Sequence, residues 1–296
     1  MYSYLANPRA TREVLDQFGF TTKHHLGQNF LVSDAVIGHI LELADLKETD
    51  TVLEVGPGIG TLTCALLPRA QAVVSLEADR SLESVLQETC AHRLDHLRIL
   101  WGDALRLDPQ DIQKAFAELG CREAPDAFVS NLPYQVAATV LLRFFQGLDP
   151  LKRAVVMVQC EVADRIVAQP GSKEYGAYTV KLRLFAQVTG RFNVSPSNFM
   201  PQPHVESCVV RLERCPQKAL TNEELQKVFQ VVNAAFCQRR KTIRNAMSSA
   251  GFDKNMLDVA FAKAGIEPSA RAERLEVDQF IDLERALDKA GFRIIP

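Results

Sequence analysis

Short apolar runs at 51–55, 72–76, 97–100, 126–130 and 154–158 are rich in Val, Ile, Leu and Phe, and we read them as strands. Between and after them, the stretches 81–91, 109–119, 135–145 and 161–168 space their apolar positions three and four apart and predict helices. Near-continuous apolar strands alternating with helices imply βαβ units around a parallel sheet covered on both faces. Pro170-Gly171-Ser172 then opens a loop, and two later strand-like runs, 192–194 and 207–212, flank the proline-rich stretch 196–203. Strands this close in sequence are expected to pair antiparallel at the sheet edge. From Thr221 the strand signals stop. Thr221 suits an N-cap, with Glu223 and Glu224 in the first turn of a helix to about 237; further helices fit 242–249, 255–264 and 278–290. Gly251, Gly265 and Gly291 are their expected stops. The boundary therefore falls within 215–219, dividing the chain into 1–217 (with an N-terminal segment, 1–30) and 218–296.

Composition narrows the class without choosing a partner. The 296 residues are 47% hydrophobic and 24% charged, enough for one large domain and a smaller one. The longest apolar runs fall far short of the ~20 residues that span a bilayer. No secretory succession opens the chain, and Arg9 and Arg12 are offset by Glu13 and Asp16. Cys64, Cys90, Cys121, Cys160, Cys208, Cys215 and Cys237 are scattered, odd in number and form no Cys-x-x-Cys pair. They are read as small core residues in a reducing compartment, with no metal site and no disulfide framework. A cytoplasmic protein without a membrane partner is expected. The net charge of −2 advertises no nucleic-acid surface, and residues 216–296 hold only 13 Lys/Arg against 11 Asp/Glu. Any such partner must be argued from local clusters.

The sharpest motif is Glu54-Val55-Gly56-Pro57-Gly58-Ile59-Gly60, where the first strand meets the first helix. Glycines at 56, 58 and 60 let the backbone turn tightly and approach a ligand. A dinucleotide fingerprint would carry its third glycine at 61, where Thr61 stands. The spacing instead resembles the nucleoside loop of S-adenosylmethionine methyltransferases. Glu77, ending the second strand, suits both hydroxyls of a ribose; Asp79 is the alternative. Asp103, in Gly102-Asp103-Ala104, suits the amine of a cofactor adenine. All three features fall at the carboxyl ends of successive strands, where open α/β sheets bind ligands.

The fourth strand runs into Asn131-Leu132-Pro133-Tyr134. An adenine amine is a poor nucleophile because its lone pair is delocalised into the ring. A carboxamide oxygen at Asn131 and the Leu132 carbonyl, accepting its two hydrogens, would draw the nitrogen towards tetrahedral geometry. Pro133 stiffens the turn. Tyr134 offers a face for an extruded base, worth roughly 1–3 kcal/mol by nucleic-acid precedent.

Taken in order, these motifs resemble the small-subunit (16S-type) ribosomal RNA adenine N6,N6-dimethyltransferase family, related to the erythromycin-resistance rRNA methyltransferases. The resemblance also takes in Leu26-Gly27-Gln28-Asn29-Phe30-Leu31, Met157-Val158-Gln159 with Glu161-Val162-Ala163, Glu174-Tyr175-Gly176, Phe199-Met200-Pro201-Gln202-Pro203, and Arg239-Arg240-Lys241-Thr242-Ile243-Arg244-Asn245 after Phe236. It implies an α/β fold: a Rossmann-like class I methyltransferase sheet, mostly parallel with an antiparallel edge strand, followed by a small all-α C-terminal domain. It implies S-adenosyl-L-methionine held by Gln28, Asn29, Leu31, Gly56, Gly58, Glu77, Asp103 and Asn131. Tyr134 and Phe199 would sandwich the target adenine. The family places two methyls on each of two neighbouring adenines in a hairpin near the 3′ end of small-subunit rRNA. Cys160 stands where the family commonly has Lys, and Ala177-Tyr178-Thr179 replaces its usual run.

Arg239, Arg240, Lys241 and Arg244 form the densest basic cluster and, with the resemblance, are expected to meet RNA phosphates. Lys23, His24 and His25 would extend that surface. The expected partner is the 30S particle, met by a monomer. An antibiotic-resistance enzyme acting on large-subunit rRNA would share every catalytic residue; the Arg239–Asn245 segment and the full helical tail favour the small subunit. A fold-sharing binding protein without turnover is disfavoured by the intact motifs.

Overall fold

Seven strands overlap the runs that predict them, and two short ones, at 30–31 and 199–200, arise from a pairing that periodicity does not mark. In this computed structural model, which describes residues 1–21, 28–121, 124–216 and 220–291, the strands are β1 (Phe30–Leu31), β2 (Thr51–Val55), β3 (Ala72–Glu77), β4 (Leu97–Trp101), β5 (Ala127–Asn131), β6 (Arg153–Gln159), β7 (Ala186–Val194), β8 (Phe199–Met200) and β9 (Ser207–Arg214). Residues Met1–Ala163 and Gln187–Arg214 make one compact unit, and Asp164–Ala186 with the chain from Cys215 onward makes a second.

In the first unit seven strands form one sheet in the order β4-β3-β2-β5-β6-β9-β7. The pairs β2–β3, β3–β4, β2–β5 and β5–β6 are parallel, and β6–β9 is antiparallel. Every residue of β2 and β3 is buried, as a sheet covered on both faces requires. The strand order runs outward in opposite directions from β2 and β5, so a crevice opens between their carboxyl ends. The glycine loop leaves β2 there, and Asn131 ends β5 there.

Three local features depart from the sequence reading. The helix expected over 81–91 is shorter, Glu83–Thr89, after a 3-10 turn capped by Asp79. β7 begins at Ala186 instead of 192; its burial alternates along the whole strand, and Gly190, on the inner-facing set, packs beneath Leu43, where a Cβ would lie 2.9 Å from Leu43 Cδ2. β1 and β8 pair antiparallel as a separate two-stranded sheet. The cysteine reading also needs correction, since Cys160 and Cys208 form a disulfide. The β6–β9 register explains it: Val158 faces Cys208 and Gln159 faces Ser207, so the residue following β6 comes alongside a cysteine 48 positions away.

In the second unit the helices are Ala177–Arg183, Asn222–Phe236, Ile243–Ser249, Lys254–Ala264 and Val277–Lys289. Thr221 caps the second of them as expected, in a reciprocal box with Glu224: Thr221 N–H donates to Glu224 Oε2 at 2.7 Å, and Glu224 N–H donates to Thr221 Oγ1 at 3.2 Å. The aromatic core holds Phe236 with its ring centroid 5.8 Å from Phe280 and 6.2 Å from Tyr175. Residues 164–186, assigned from sequence to the catalytic portion, group with these helices. Phe185 meets the edge of Phe229, and Lys181 Nζ lies 5.0 Å from the same ring. Periodicity marks the apolar side of a helix and is silent on which core receives it. The expected cut at 217/218 lies outside the described residues; the second unit resumes at Cys215. Among the described residues, no helix is long and apolar enough to cross a membrane.

Candidate active site

A cavity of about 400 Å³ occupies the crevice between β2 and β5. The glycine loop forms one wall. Gly56 and Gly58 take left-handed backbone at φ +71° and +59°, a region that penalises a Cβ. Space is short as well: a Cβ at Gly56 would lie 3.1 Å from Pro133 Cγ, and one at Gly58 would lie 3.0 Å from the Phe30 ring. Thr61, at the position where a dinucleotide loop has glycine, lines the same cavity, and its buried hydroxyl finds no hydrogen-bond partner among the described residues.

Two buried carboxylates floor this wall. Glu54 Oε2 accepts from the Thr63 and Ser75 hydroxyls at 2.7 and 2.8 Å. Burial nonetheless pushes its carboxyl up to about 7. Glu77 accepts from the backbone N–H of Asp79 at 2.8 Å and of Gly58 at 3.3 Å, and burial raises it too. A carboxylate buried in this way is favoured by accepting hydrogen bonds, so Glu77 at this floor is complementary to hydroxyl donors. Asp79, the alternative to Glu77, is engaged elsewhere: it accepts from Gln28 Nε2 at 2.9 Å and from Ser81 Oγ at 2.6 Å, and it does not line the cavity. Asp103 sits at the rim, half exposed, with Oδ1 accepting from Leu105 N–H at 2.9 Å.

The opposite wall is Asn131-Leu132-Pro133-Tyr134. Leu132 N–H donates to Met157 O at 3.1 Å, tying the turn to β6. Asn131 Nδ2 donates to the Asn29 carbonyl at 3.3 Å, which leaves Oδ1 without a protein donor among the described residues. The segment 28–31 thereby closes one side of the cavity, fixed by pairing of Leu31 with Phe199. Tyr134 reaches across to Ser207, hydroxyl to hydroxyl at 2.6 Å, and burial raises its phenol against the effect of that bond.

Gln28, Asn29, Leu31, Gly56, Gly58, Glu77, Asp103, Asn131, Leu132, Pro133 and Tyr134 therefore share one cavity. Phe199 does not join them. It is 2% exposed, packed in the core behind Leu31, and the pair expected to sandwich a base is not assembled. Phe199 is paired with Leu31 across the β1–β8 ladder and belongs to the buried core cluster. From sequence alone, Thr61 and Glu54 have no part in the cavity lining and Ser207 no role beyond opening a strand; Glu54 and Thr61 carry a signal, as the residues that open and follow the glycine motif.

In the second unit Arg239, Arg240 and Lys241 are exposed at the turn between Asn222–Phe236 and Ile243–Ser249, with the Arg239 guanidinium donating to the Lys173 carbonyl. Arg244 departs from the expected cluster. Its guanidinium makes a two-pronged contact with Asp258, 2.6 Å on each side, which neutralises it locally. Lys23, His24, His25, Leu26 and Gly27 lie outside the described residues.

The strand order, the glycine loop at the switch point and an Asn-Leu-Pro-Tyr turn facing it define a Rossmann-like methyltransferase. Residues 19–289 match the family described as ribosomal RNA adenine dimethylase. The chain belongs to that family and is a methyltransferase. It is 37% identical over 270 residues to ribosomal RNA small subunit methyltransferase A of Clostridium botulinum, covering 91% of this chain and 95% of that protein. Among solved structures, it resembles a dimethyladenosine transferase from Plasmodium falciparum with TM-score 0.74 and 26% identity, covering 88% of this chain and 98% of that one. It resembles the 23S rRNA methyltransferase ErmE less closely, with TM-score 0.64 and 25% identity over 88% of this chain and 100% of that one.

Proposed function

We propose that this enzyme transfers methyl groups from S-adenosyl-L-methionine to the N6 amines of two adjacent adenines, two methyls on each. The substrate is a hairpin loop near the 3′ end of small-subunit rRNA, presented by the 30S particle in the cytoplasm to a single chain. The observation that carries this reading is the meeting of the glycine loop and the Asn131 turn in one cavity. The cavity suits the donor: a loop with no room for a Cβ, a buried Glu77 complementary to hydroxyl donors, and an orphaned Thr61 hydroxyl. Gln28, Asn29, Leu31, Gly56, Gly58, Glu77 and Asp103 would hold it. When bound, S-adenosyl-L-methionine supplies an electrophilic methyl group on a sulfonium.

The chain's own part is positioning. Asn131 Oδ1 and the Leu132 carbonyl accept the two amine hydrogens and expose the nitrogen lone pair. Tyr134 offers its ring to the flipped base, and Pro133 keeps the turn from yielding. No residue need remove a proton before attack, because the amine becomes acidic once alkylated. Phe199 supports Leu31 from the core in this reading. Loop bases are extruded at low cost, which suits a hairpin substrate.

Incubation with labelled donor and unmethylated small subunits should place four methyls on two neighbouring adenines. Label on large-subunit rRNA, mapped by primer extension, would move the assignment to the resistance-type enzymes. The small-subunit reading is favoured by the name and the 37% identity of the Clostridium botulinum relative. For RNA binding, reversing charge at both Arg239 and Arg240 should weaken affinity and flatten the dependence of log affinity on log salt by roughly 1.5, close to 0.7–0.9 for each phosphate no longer neutralised. An unaltered slope in filter binding at several salt concentrations would remove the pair from the interface.

A further inference from the structure

The hydroxyl of Tyr134 ends on a residue that lies outside the motif. Ser207, 73 positions away, meets it at 2.6 Å, at the short end for an O–H···O bond. Ser207 is fully buried, and among the described residues this is the hydrogen bond its side chain makes. Its placement follows from the sheet. Asn131, at the end of β5, is in register with Met157 of β6; β6 ends at Gln159, which is in register with Ser207 at the start of β9. Tyr134 thus leaves a turn after β5, passes over the end of β6 and is met at β9, a span of two strand spacings, or roughly 10 Å. Cys160 N–H donating to the Glu206 carbonyl at 3.0 Å continues the ladder past Ser207, so the serine sits inside paired backbone.

We infer that Ser207 is a positioning residue for the methyl-accepting base: by holding the far end of the Tyr134 side chain, it fixes the plane of the ring on which the base stacks. This rests on the reading of Tyr134 as the stacking platform. A tyrosine held only at its Cα swings about two side-chain torsions. Anchored also at its hydroxyl to a buried strand residue, it keeps one ring plane. Stacking depends on that plane, because a tilted ring moves the base, and with it the amine, off the line of transfer. Ser207 touches neither base nor donor in this scheme and acts through Tyr134.

Four variants and three readouts test the inference. Ser207→Ala should lower single-turnover methylation about tenfold, the size of one missing hydrogen bond, with affinity for S-adenosylhomocysteine measured by calorimetry unchanged within about twofold. An rRNA hairpin carrying 2-aminopurine at the target position reports stacking directly. Its fluorescence should be quenched on binding the parent enzyme and recover in part with Ser207→Ala, an effect that mere loosening of β9 would not produce. Tyr134→Phe should show a comparable loss, and the double variant should be no worse than either single variant, because both remove the same bond. Additive losses in the double variant would overturn the inference. So would parent-like rate and quenching in Ser207→Ala while Tyr134→Ala loses both, a result that leaves the stacking role of Tyr134 standing. If Tyr134→Ala also retains rate and quenching, the acceptor-site reading falls together with this inference.

Discussion

Asn131→Ala should cut methyl transfer by about 10³-fold, or ~4 kcal/mol in the barrier, while the protein still binds S-adenosylhomocysteine. The carboxamide is held at one end only. Nδ2 donates to the Asn29 carbonyl, and Oδ1 has no protein donor among the described residues. An oxygen so placed, in a cavity that also holds Gly56 and Glu77, is free to accept from an amine. That interaction strengthens as the nitrogen becomes tetrahedral, so its loss falls on the chemical step more than on ground-state binding. Alanine keeps β5 intact, because Asn131 pairs with β6 through its backbone. Single-turnover methylation and calorimetry on the same preparation separate the effects. Parent-like turnover would remove Asn131 from the mechanism. A loss of donor affinity as large as the loss of rate would reassign it to donor binding.

Gly56→Ala should be nearly as harmful, for a reason that joins the two walls. An L-residue at φ +71° costs about 1–2 kcal/mol in the left-handed region. The added Cβ would also lie 3.1 and 3.2 Å from Pro133 Cγ and Cδ, and a proline ring can retreat only by the small movement of a change in pucker. Further relief must come from displacement of the turn that carries Asn131 and Tyr134. Since a misplacement of ~1 Å costs about 10²-fold, we expect a rate loss of that order, with donor affinity weaker by about tenfold. Gly120→Ala is the matched control: φ is +78°, but nothing lies within 4 Å of its Cβ. Both variants should lower Tm by a few degrees, about 2–4 °C per kcal/mol for a domain of this size. Only the variant at 56 should lose activity. Equal activity in the two would show that the donor loop and the acceptor turn are not coupled through Pro133.

Much of this site is legible in the chain because its parts are local. The glycine spacing, the acid ending β3 and the Asn-Leu-Pro-Tyr turn each announce themselves within a few residues, and the apolar runs place them at strand ends. Choosing among neighbours was harder. Glu77 and Asp79 are two positions apart with the same chemistry. Gln28 and Ser81, which engage Asp79, separate them only once the chain is folded. Arg244 looks as free as Arg239 until Asp258 arrives 14 positions later with matching geometry.

By itself, then, the sequence determined the kind of sheet, the strands that carry the cavity-lining loops, the family and the residue types of the two walls. The sheet and its loops depend on backbone preferences and side-chain periodicity over two to four residues, and the family on the resemblance of several motifs taken in order. Tertiary structure decided who meets whom. Phe199 went to the core behind Leu31, Cys160 was joined to Cys208, residues 164–186 packed with the C-terminal helices, and Ser207 came to hold Tyr134. Each of these turns on strand register or on packing between segments far apart in the chain. Such pairings are selected by total burial and hydrogen bonding across the fold, and no short stretch of sequence carries that information.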